Sequence, residues 1–300
     1  MILTHAELND VLGQALPGAN TADLDLVSRA TLAAHQHGQG WAGLSLLGRE
    51  LAGTRRLPGE PSGTGGFRRV SGEDVPGPLC LASGVRHVAE LTAEFGIAAI
   101  GLPAVTGTGR LAGYAAGLAR CGLVGIVLAQ STPAVAPWKG NGAAIGTNPF
   151  CLAAPHTDGL LVIDTATSEL TKAALTRHRA DRTPLPDGTA LDATGQPTTD
   201  AEAATALIAR GLIGSLAGLA IEVIAGALLG VQDTPGRGLL VLGLDPQAVG
   251  TDLTSQVSAI VARWQAAGGH LPGAVEQLPT EAPVSEAEWA LFLNQVGVSR

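Results

Sequence analysis

Small polar side chains at turns are concentrated in one stretch of the chain, residues 137–168. This stretch contains the tetrad Gly146-Thr147-Asn148-Pro149, and an apolar run then leads to Asp164, Thr167 and Ser168. Hydroxyl and amide groups on turns without bulky neighbours allow a ligand to approach the backbone closely. Each half alone is also compatible with an ordinary turn or a helix N-cap. In this order and spacing, the two halves predict a ligand-binding segment.

The region around this segment is locally basic, although the protein is acidic. The formal net charge of the chain is -8 at pH 7, but residues 95–157 contain no Asp or Glu and include Arg110, Arg120 and Lys139. A local excess of positive charge favours an anionic small-molecule ligand. Arg110 follows a glycine-rich loop, residues 107–109, that imitates a dinucleotide-binding turn. The acidic residue that should hold a ribose about twenty positions later is missing, so we predict Arg110 as a ligand contact and reject a Rossmann fingerprint.

Four side chains could supply chemistry near these turns. Lys139 is one of only two lysines, and it could anchor an anion, act as an amine nucleophile or be a solvated loop residue. Tyr114, the only tyrosine, could donate a proton or pack in the core. Asn148 and Asp164 could bind a ligand or stabilise their turns. We expect Lys139 to face a pocket beside the tetrad, with its stem along Trp138.

The elements that must position these residues alternate between helix-like and strand-like runs without a clear βαβ rhythm. This pattern predicts an α/β fold in which helices surround a mixed sheet. Capping boxes predict helices that start at Thr4 and Ser285, and composition predicts a helix over residues 201–209. We predict two regions: a helical one, residues 1–60 packed with residues 280–300, and a main ligand-binding one, residues 61–279.

One apolar run and the overall composition bear on the cellular location of the protein and on its partners. Leu212–Gly230 is nearly long enough to span a membrane, but Glu222 lies near its middle and no Lys or Arg cluster flanks it; we favour a buried, glycine-lined core helix. The absence of a basic tract argues against nucleic acid and anionic membranes as partners. Three scattered cysteines suggest neither a disulfide framework nor a metal site, and no secretory signal is visible, so we expect a cytoplasmic protein.

The order of the motifs resembles the malate/L-lactate dehydrogenase-like family, which includes ureidoglycolate and sulfolactate dehydrogenases and cyclic-imine reductases. Residues 137–140 correspond to its Pro-x-Gly-Gly turn, with Lys139 in place of one glycine. Residues 146–149 match its GTNP motif, and residues 164–168 its Asp-x-Ala-Thr-Ser motif. The resemblance continues in residues 186–188, 195–200, 218–220 and 271–273. It implies an NAD(P)-dependent reductase of 2-keto acids or cyclic imines, folded without a Rossmann domain and working as a homodimer.

Several polar positions of the family pattern are filled differently in this chain. Ala42 stands where the family has the histidine of a Ser-His-Gly motif, and Leu46 where an arginine would hold the substrate carboxylate. Gly107 aligns with the proton-donating histidine, Ser215 with a lysine, and residues 173–174 with a Gly-Lys pair. Reduction of a keto acid requires a proton donor for the alkoxide and a cation for the carboxylate. The resemblance therefore predicts a rebuilt, less polar active site.

Three hypotheses follow from this pattern. The first is a divergent NAD(P)-dependent oxidoreductase of specialised or biosynthetic metabolism that acts on a less polar substrate. The second is a scaffold that has lost the nicotinamide cofactor and performs a lyase, isomerase or cyclase reaction. The third is a non-catalytic subunit that pairs with an active relative. Family membership favours the first, whereas the side chains at the aligned positions favour the second.

Overall fold

The computed structural model describes residues 1–231, 237–271 and 278–299. Residues 272 and 273 of the last predicted family match lie outside these ranges. The helices are α1 (His5–Ala15), α2 (Thr21–Gln36), α3 (Leu44–Gly53), α4 (Gly77–Phe95), α5 (Ala112–Arg120), α6 (Lys172–Asp181), α7 (Gly211–Ile221), α8 (Leu253–Ala266) and α9 (Glu286–Val296). The strands are β1 (Ile2–Thr4), β2 (Ser62–Thr64), β3 (Phe67–Arg69), β4 (Ile97–Val105), β5 (Val124–Ala129), β6 (Val135–Ala136), β7 (Phe150–His156), β8 (Gly159–Thr165), β9 (Ala190–Leu191), β10 (Ala206–Ile208), β11 (Arg237–Leu244) and β12 (Glu281–Pro283).

The chain folds into two compact units. The first comprises Met1–Val127, Cys151–Asp164 and Leu240–Arg300, and the second Leu128–Phe150 and Thr165–Leu239. These limits do not coincide with the boundary that we expected near residue 60.

A mixed sheet runs through the first unit. Its seven strands follow the order β2-β3-β4-β11-β5-β7-β8, with β2 antiparallel and β4 parallel to β3. The interior strand β4, between β3 and β11, is mostly buried, as a strand covered on both faces must be. At the start of the chain, Thr4 and Glu7 form the predicted capping box of α1, β1 pairs with β12, and α3 packs against α9.

The second unit has a small sheet of its own, in the order β6-β10-β9. The central strand β10 is parallel to β6 and antiparallel to β9. The helix predicted over residues 201–209 is therefore wrong, because this segment contains β10. Alanine favours a helix locally, but hydrogen bonding to two neighbouring strands buries Ala206 and Leu207 and overrides that preference.

The apolar run 211–229 is helical throughout but is not the buried core helix that we expected. After α7, the helix continues as a π-helical turn, Glu222–Gly226, and a 3₁₀ turn, Ala227–Leu229. Only 39% of its most apolar window is buried. Within the described residues it is the one helix whose length and composition would also suit a membrane span. The large apolar side chains that it exposes are Leu212, Ile213, Leu216, Leu219, Val223 and Leu228.

A buried histidine stabilises the start of α3. The Nε2 atom of His35 accepts a hydrogen bond from the N–H of Leu44, the first residue of this helix, at 3.2 Å. Gly43, at the N-cap, offers no side chain for that purpose, and a Cβ atom there would lie 2.6 Å from the His35 ring. Burial lowers the pKa of His35, and the Oε1 atom of Glu288, 3.7 Å from Nε2, opposes this shift only in part.

We predict that the free energy of unfolding decreases as the pH is lowered below the ordinary histidine pKa of 6.5. The unfolded chain binds a proton at His35 more readily than the folded chain, so the stabilisation is complete above 6.5 and is lost as the pH falls through the lowered pKa. His35→Ala should cost at least about 1 kcal/mol at neutral pH and should weaken the pH dependence. Urea unfolding at several pH values measures both, with His270→Ala, at an exposed histidine, as the control. An unchanged pH dependence in His35→Ala would contradict the assignment.

Candidate functional site

The Asn148 side chain lies at the centre of the hydrogen bonds that hold the GTNP tetrad in the second unit. Its Nδ2 atom donates to the carbonyl oxygen of Gly218 at 2.9 Å and to Oε1 of Glu222 at 2.8 Å. Its Oδ1 atom accepts from the N–H of Ser131 at 3.0 Å. Asn148 is fully buried and has a φ of 30°, an unusual backbone angle that asparagine adopts more easily than most residues. Its amide group is thus fully engaged within the protein.

The backbone amides of the tetrad are engaged in the same way. The N–H of Gly146 donates to Oε1 of Glu222 at 2.9 Å, and the N–H of Thr147 donates to Oγ of Ser131 at 3.0 Å. A Cβ atom at position 146 would lie 2.3 Å from both Oδ1 of Asn148 and Oγ of Ser131. This glycine is therefore required by the internal packing of the turn. The carbonyl oxygen of Pro149 accepts from the N–H of Ala129 at 3.1 Å.

The hydroxyl groups that follow β8 also bond within the second unit. Thr167 donates to the carbonyl oxygen of Thr147 through Oγ1 at 3.0 Å and through its N–H at 3.1 Å. The Oγ atom of Ser168 donates to the carbonyl oxygen of Leu170 at 2.7 Å. The structure thus brings most of the predicted ligand-binding residues of this segment together, but it uses their polar side chains to hold one another.

Sequence analysis did not predict the two residues that organise this network, Ser131 and Glu222. Glu222 gave a signal, since it is a lone charge in the middle of an apolar helix. A buried or half-buried charge in such a place usually has a specific hydrogen-bonding partner, and here it has two. Ser131 gave no comparable signal, because a serine after a strand is common.

Lys139 lies at the surface, and its expected position beside a pocket remains a prediction. The residue is exposed, and its Nζ atom lies 4.3 Å from the centre of the Trp138 ring, which is itself 48% exposed. A φ of 63° at Lys139 and a hydrogen bond from the Trp138 N–H to Oγ of Ser215 at 3.1 Å shape this turn. The stem lies along the tryptophan as expected, but both side chains point to the surface. A chemical role for Lys139 remains a prediction.

The other lysine, Lys172, is the more enclosed of the two. Its Nζ atom donates to the carbonyl oxygen of Thr132 at 2.7 Å and also to the hydroxyl group of Thr132. Burial lowers the pKa of Lys172, and the nearby charge of Arg237 lowers it further. It lines a cleft of ≈ 270 Å³ in the second unit. Sequence analysis gave Lys172 no chemical role.

The remaining candidates, Tyr114, Arg110 and Asp164, lie in the first unit. Tyr114 is buried in α5, and this burial raises the pKa of its phenol, so the side chain stays neutral. The Nε atom of Arg110 lies 3.6 Å from Oδ2 of Asp164, a distance for an ion pair rather than a hydrogen bond. The Nη1 atom of Arg110 is buried and has no hydrogen-bond partner within the described residues. Arg110 thus keeps donor capacity, as a ligand contact would require.

Three of the positions at which we expect a departure from the family pattern lie together in the first unit. A Cβ atom at Gly107 would lie 2.8 Å from Cδ1 of Leu46, and one at Gly109 would lie 2.6 Å from the carbonyl oxygen of Ala42. Glu50 holds the same loop, since its carboxylate accepts from the N–H groups of Gly77 and Gly107, each at 3.2 Å. Leu46, Ala42 and the Glu50 carboxylate therefore all lie close to this glycine loop.

Most of the chain is similar to known proteins. The sequence model of the family described as malate/L-lactate dehydrogenase matches residues 18–283. Over 156 residues, the chain is 38% identical to the Delta(1)-pyrroline-2-carboxylate reductase of Agrobacterium fabrum, a match that covers 51% of this chain and 45% of that protein. Over 296 residues, it is 28% identical to the (2R)-3-sulfolactate dehydrogenase (NADP(+)) of Chromohalobacter salexigens, covering 90% and 89% of the two chains.

A solved structure shows the same fold. The delta1-piperideine-2-carboxylate reductase from Pseudomonas syringae pvar. tomato superposes with a TM-score of 0.80, with 98% of this chain and 99% of that chain covered. At 20% identity, the likeness establishes the fold alone. The predicted α/β fold with a mixed sheet, distinct from a Rossmann domain, is confirmed.

We predict that Glu222→Ala destabilises the protein by about 3 kcal/mol, because it removes two hydrogen bonds to a carboxylate that are worth roughly 1.5 kcal/mol or more each. The matched control is Glu169→Ala, also in the second unit. The Glu169 carboxylate lies 4.0 Å from Nε of Arg210 and should contribute less than about 0.5 kcal/mol. Urea unfolding followed by circular dichroism compares the two variants. Equal stabilities would mean that Glu222 does not support the tetrad.

Proposed function

The chain belongs to the malate/L-lactate dehydrogenase family, and we propose that it is an oxidoreductase of that family with a rebuilt, less polar substrate site. The observation that carries this proposal is the contact of Leu46 with the loop at Gly107. A small 2-keto acid needs a cation for its carboxylate and a proton donor for the developing alkoxide. Leu46, Ala42 and Gly107 supply neither.

The proposed substrate is accordingly larger and less polar than a small keto acid. An aliphatic lining stabilises a bound ligand through the apolar surface that it removes from water, about 25 cal/mol per Å². Such a substrate fits a specialised metabolic or biosynthetic enzyme better than one of central metabolism. We propose a reducing, cytoplasmic setting, because the three cysteines are scattered along the sequence without the spacing of a disulfide framework.

The nicotinamide cofactor enters this proposal through family membership. The polar side chains of Thr147, Asn148, Thr167 and Ser168 are committed to partners within the protein. They do not fit direct hydrogen bonding to a nucleotide unless these bonds are broken. We therefore assign no catalytic step to the cofactor. Arg110, with its buried and unpartnered Nη1 atom, fits an anionic group better and is the first-unit residue that we propose as a ligand contact.

A second candidate function follows from this internal commitment of the GTNP and ATS side chains. If the nucleotide no longer binds, the same scaffold encloses a mostly apolar site suited to a non-redox reaction such as a lyase, isomerase or cyclase step. Fold alone does not separate the two candidates, because one scaffold hosts different chemistries. A test of nucleotide binding separates the two candidates.

We predict that NADH or NADPH binds and raises the melting temperature, whereas pyruvate, oxaloacetate and Δ1-piperideine-2-carboxylate are not reduced. A nucleotide at a hundredfold excess over its Kd stabilises the folded state by about 2.7 kcal/mol. The loss of a general acid alone slows such a reaction by about 10² to 10⁴. Thermal shift and NADH absorbance measure the two parts, with a relative that reduces one of these substrates as the positive control.

The outcomes separate the candidates. Rapid NADH oxidation with any of the three substrates would refute the rebuilt site. Binding of neither nucleotide would refute the oxidoreductase and leave the non-redox candidate.

We further propose that the protein is a homodimer and that a second copy covers the exposed face of the 211–229 helix. Ile213 is 83% exposed, and five more apolar side chains lie on the same helix. An exposed apolar surface of this kind marks an interaction site in a water-soluble protein, and a two-fold contact places the same face of each copy in it. The face carries no charged side chain between Leu212 and Leu219, so a like apolar face is a suitable partner.

Leu216→Asp should convert the dimer to a monomer, because it places a charge in the centre of the apolar face. Light scattering at tens of micromolar protein measures the mass. Val249→Asp is the control, since Val249 is 77% exposed but lies on a different segment. A wild-type monomer, or a Leu216→Asp variant that remains a dimer, would contradict this arrangement.

A further inference from the structure

We infer that the ≈ 270 Å³ cleft along α6 in the second unit binds a small oxyanion, such as a phosphate or carboxylate group. The residues that line this cleft belong to the second unit, and the inference does not depend on the proposed oxidoreductase function. It is built from residues to which the sequence motifs assign no role.

One face of α6 lines the cleft. Lys172, Leu175, Thr176 and Arg179 all border it, and their spacing of three and four residues places them on the same side of a helix. Opposite them, the cleft is bordered by residues 133–134 and 204–207. The cleft is therefore a groove between a helix and two chain segments, with a helix face that carries two cations.

The two cations are held in place by hydrogen bonds that leave donors available. The Nζ atom of Lys172 donates to both oxygens of Thr132, and an ammonium group has three donors. The Nε and Nη2 atoms of Arg179 donate to the carbonyl oxygens of Ala201 and Ala204, each at 2.8 Å. The guanidinium group has five donors, so most of its hydrogens remain for a ligand. Both side chains are pre-ordered, which reduces the entropy lost on binding.

The described lining of the cleft carries positive charge. Among the described residues, its lining contains Lys172 and Arg179 but no Asp or Glu, in a protein whose net charge is -8. The adjoining cleft, which shares Arg179, contrasts with it because Asp200 and Glu202 line that one. Burial and the charge of Arg237 disfavour the charged form of the Lys172 side chain and lower its pKa. A bound oxyanion would favour the charged form of Lys172 and would offset the repulsion from Arg237. The concentration of positive charge therefore favours an anionic ligand.

The hydrophobic part of the lining limits what else the ligand can be. Pro133, Leu175 and Leu207 border the same space, so the ligand places a short apolar portion beside its anionic group. A cleft of ≈ 270 Å³ lies just below the usual range for drug-sized ligands. We therefore expect a compact anionic molecule rather than a complete dinucleotide.

The test uses the full chain and two defined probes, inorganic phosphate and oxalate, titrated by calorimetry at constant ionic strength with chloride as the balancing anion. At least one probe should bind with one site per chain. Lys172→Ala should weaken that binding at least about tenfold, since hydrogen bonds to charged groups are worth about 1.5–3 kcal/mol. Lys139→Ala removes the only other lysine and should leave the affinity unchanged.

The binding of phosphate and oxalate supports or refutes the proposed anion site. Binding of phosphate alone identifies a phosphorylated ligand, and binding of oxalate alone identifies a carboxylic acid; both support the site. No binding of either probe, or an equal loss of affinity in the two lysine variants, overturns it. Because no nucleotide is present, failure here does not bear on the oxidoreductase proposal.

A second measurement covers the case in which Lys172→Ala does not fold. Acetylation of the wild-type protein by a limiting amount of acetic anhydride, followed by peptide mass spectrometry, compares the two lysines directly. The bound probe should slow acetylation of Lys172 several-fold and leave that of Lys139 unchanged. Equal rates at Lys172 with and without the probe would contradict the inference.

Discussion

The carboxylate of Glu222 is the interaction on which the second unit depends. One of its oxygens accepts from the N–H of Gly146 and from the side-chain amide of Asn148. The carboxylate sits on a helix that is otherwise apolar, where a charge without partners would be costly. Its helix changes to a π-helical turn at this residue, and such turns are frequent where a helix is adapted to a specific contact. The GTNP tetrad and the helix are thereby joined by hydrogen bonds to a charged group.

Much of the fold could be predicted because its signals are local. Capping boxes located the first residues of α1 and α9, and the irregular alternation of helix and strand indicated a mixed sheet. The predicted helix over residues 201–209 failed because β10 is stabilised by strands that lie far from it in sequence. The expected burial of the apolar helix failed for a related reason, since composition shows that a surface is apolar but not whether it is covered.

Most of the candidate site residues between positions 146 and 168 lie together in the structure, but the contacts that they make were not predicted from the sequence. Asn148 is bonded to partners 17, 70 and 74 residues away in the chain, and no local pattern connects such distant residues. Lys139 was selected for its rarity and its position beside glycine. The structure shows instead that Lys172 is the more enclosed lysine, because α6 and Thr132 surround it. Which of the two lysines is enclosed therefore depends on tertiary packing, and the sequence motif around each lysine did not predict it.

The central claim is that the GTNP segment serves first to hold the second unit together, with its donors already engaged before any ligand arrives. Amide hydrogen exchange at Gly146 and Thr147 in the ligand-free protein tests it most directly, because both N–H groups donate to side chains within the protein. The account predicts slow exchange at both amides without ligand and little further slowing when NADH or NADPH is added. Rapid exchange in the free protein, with protection only after a nucleotide is added, would contradict it and identify these amides as ligand donors.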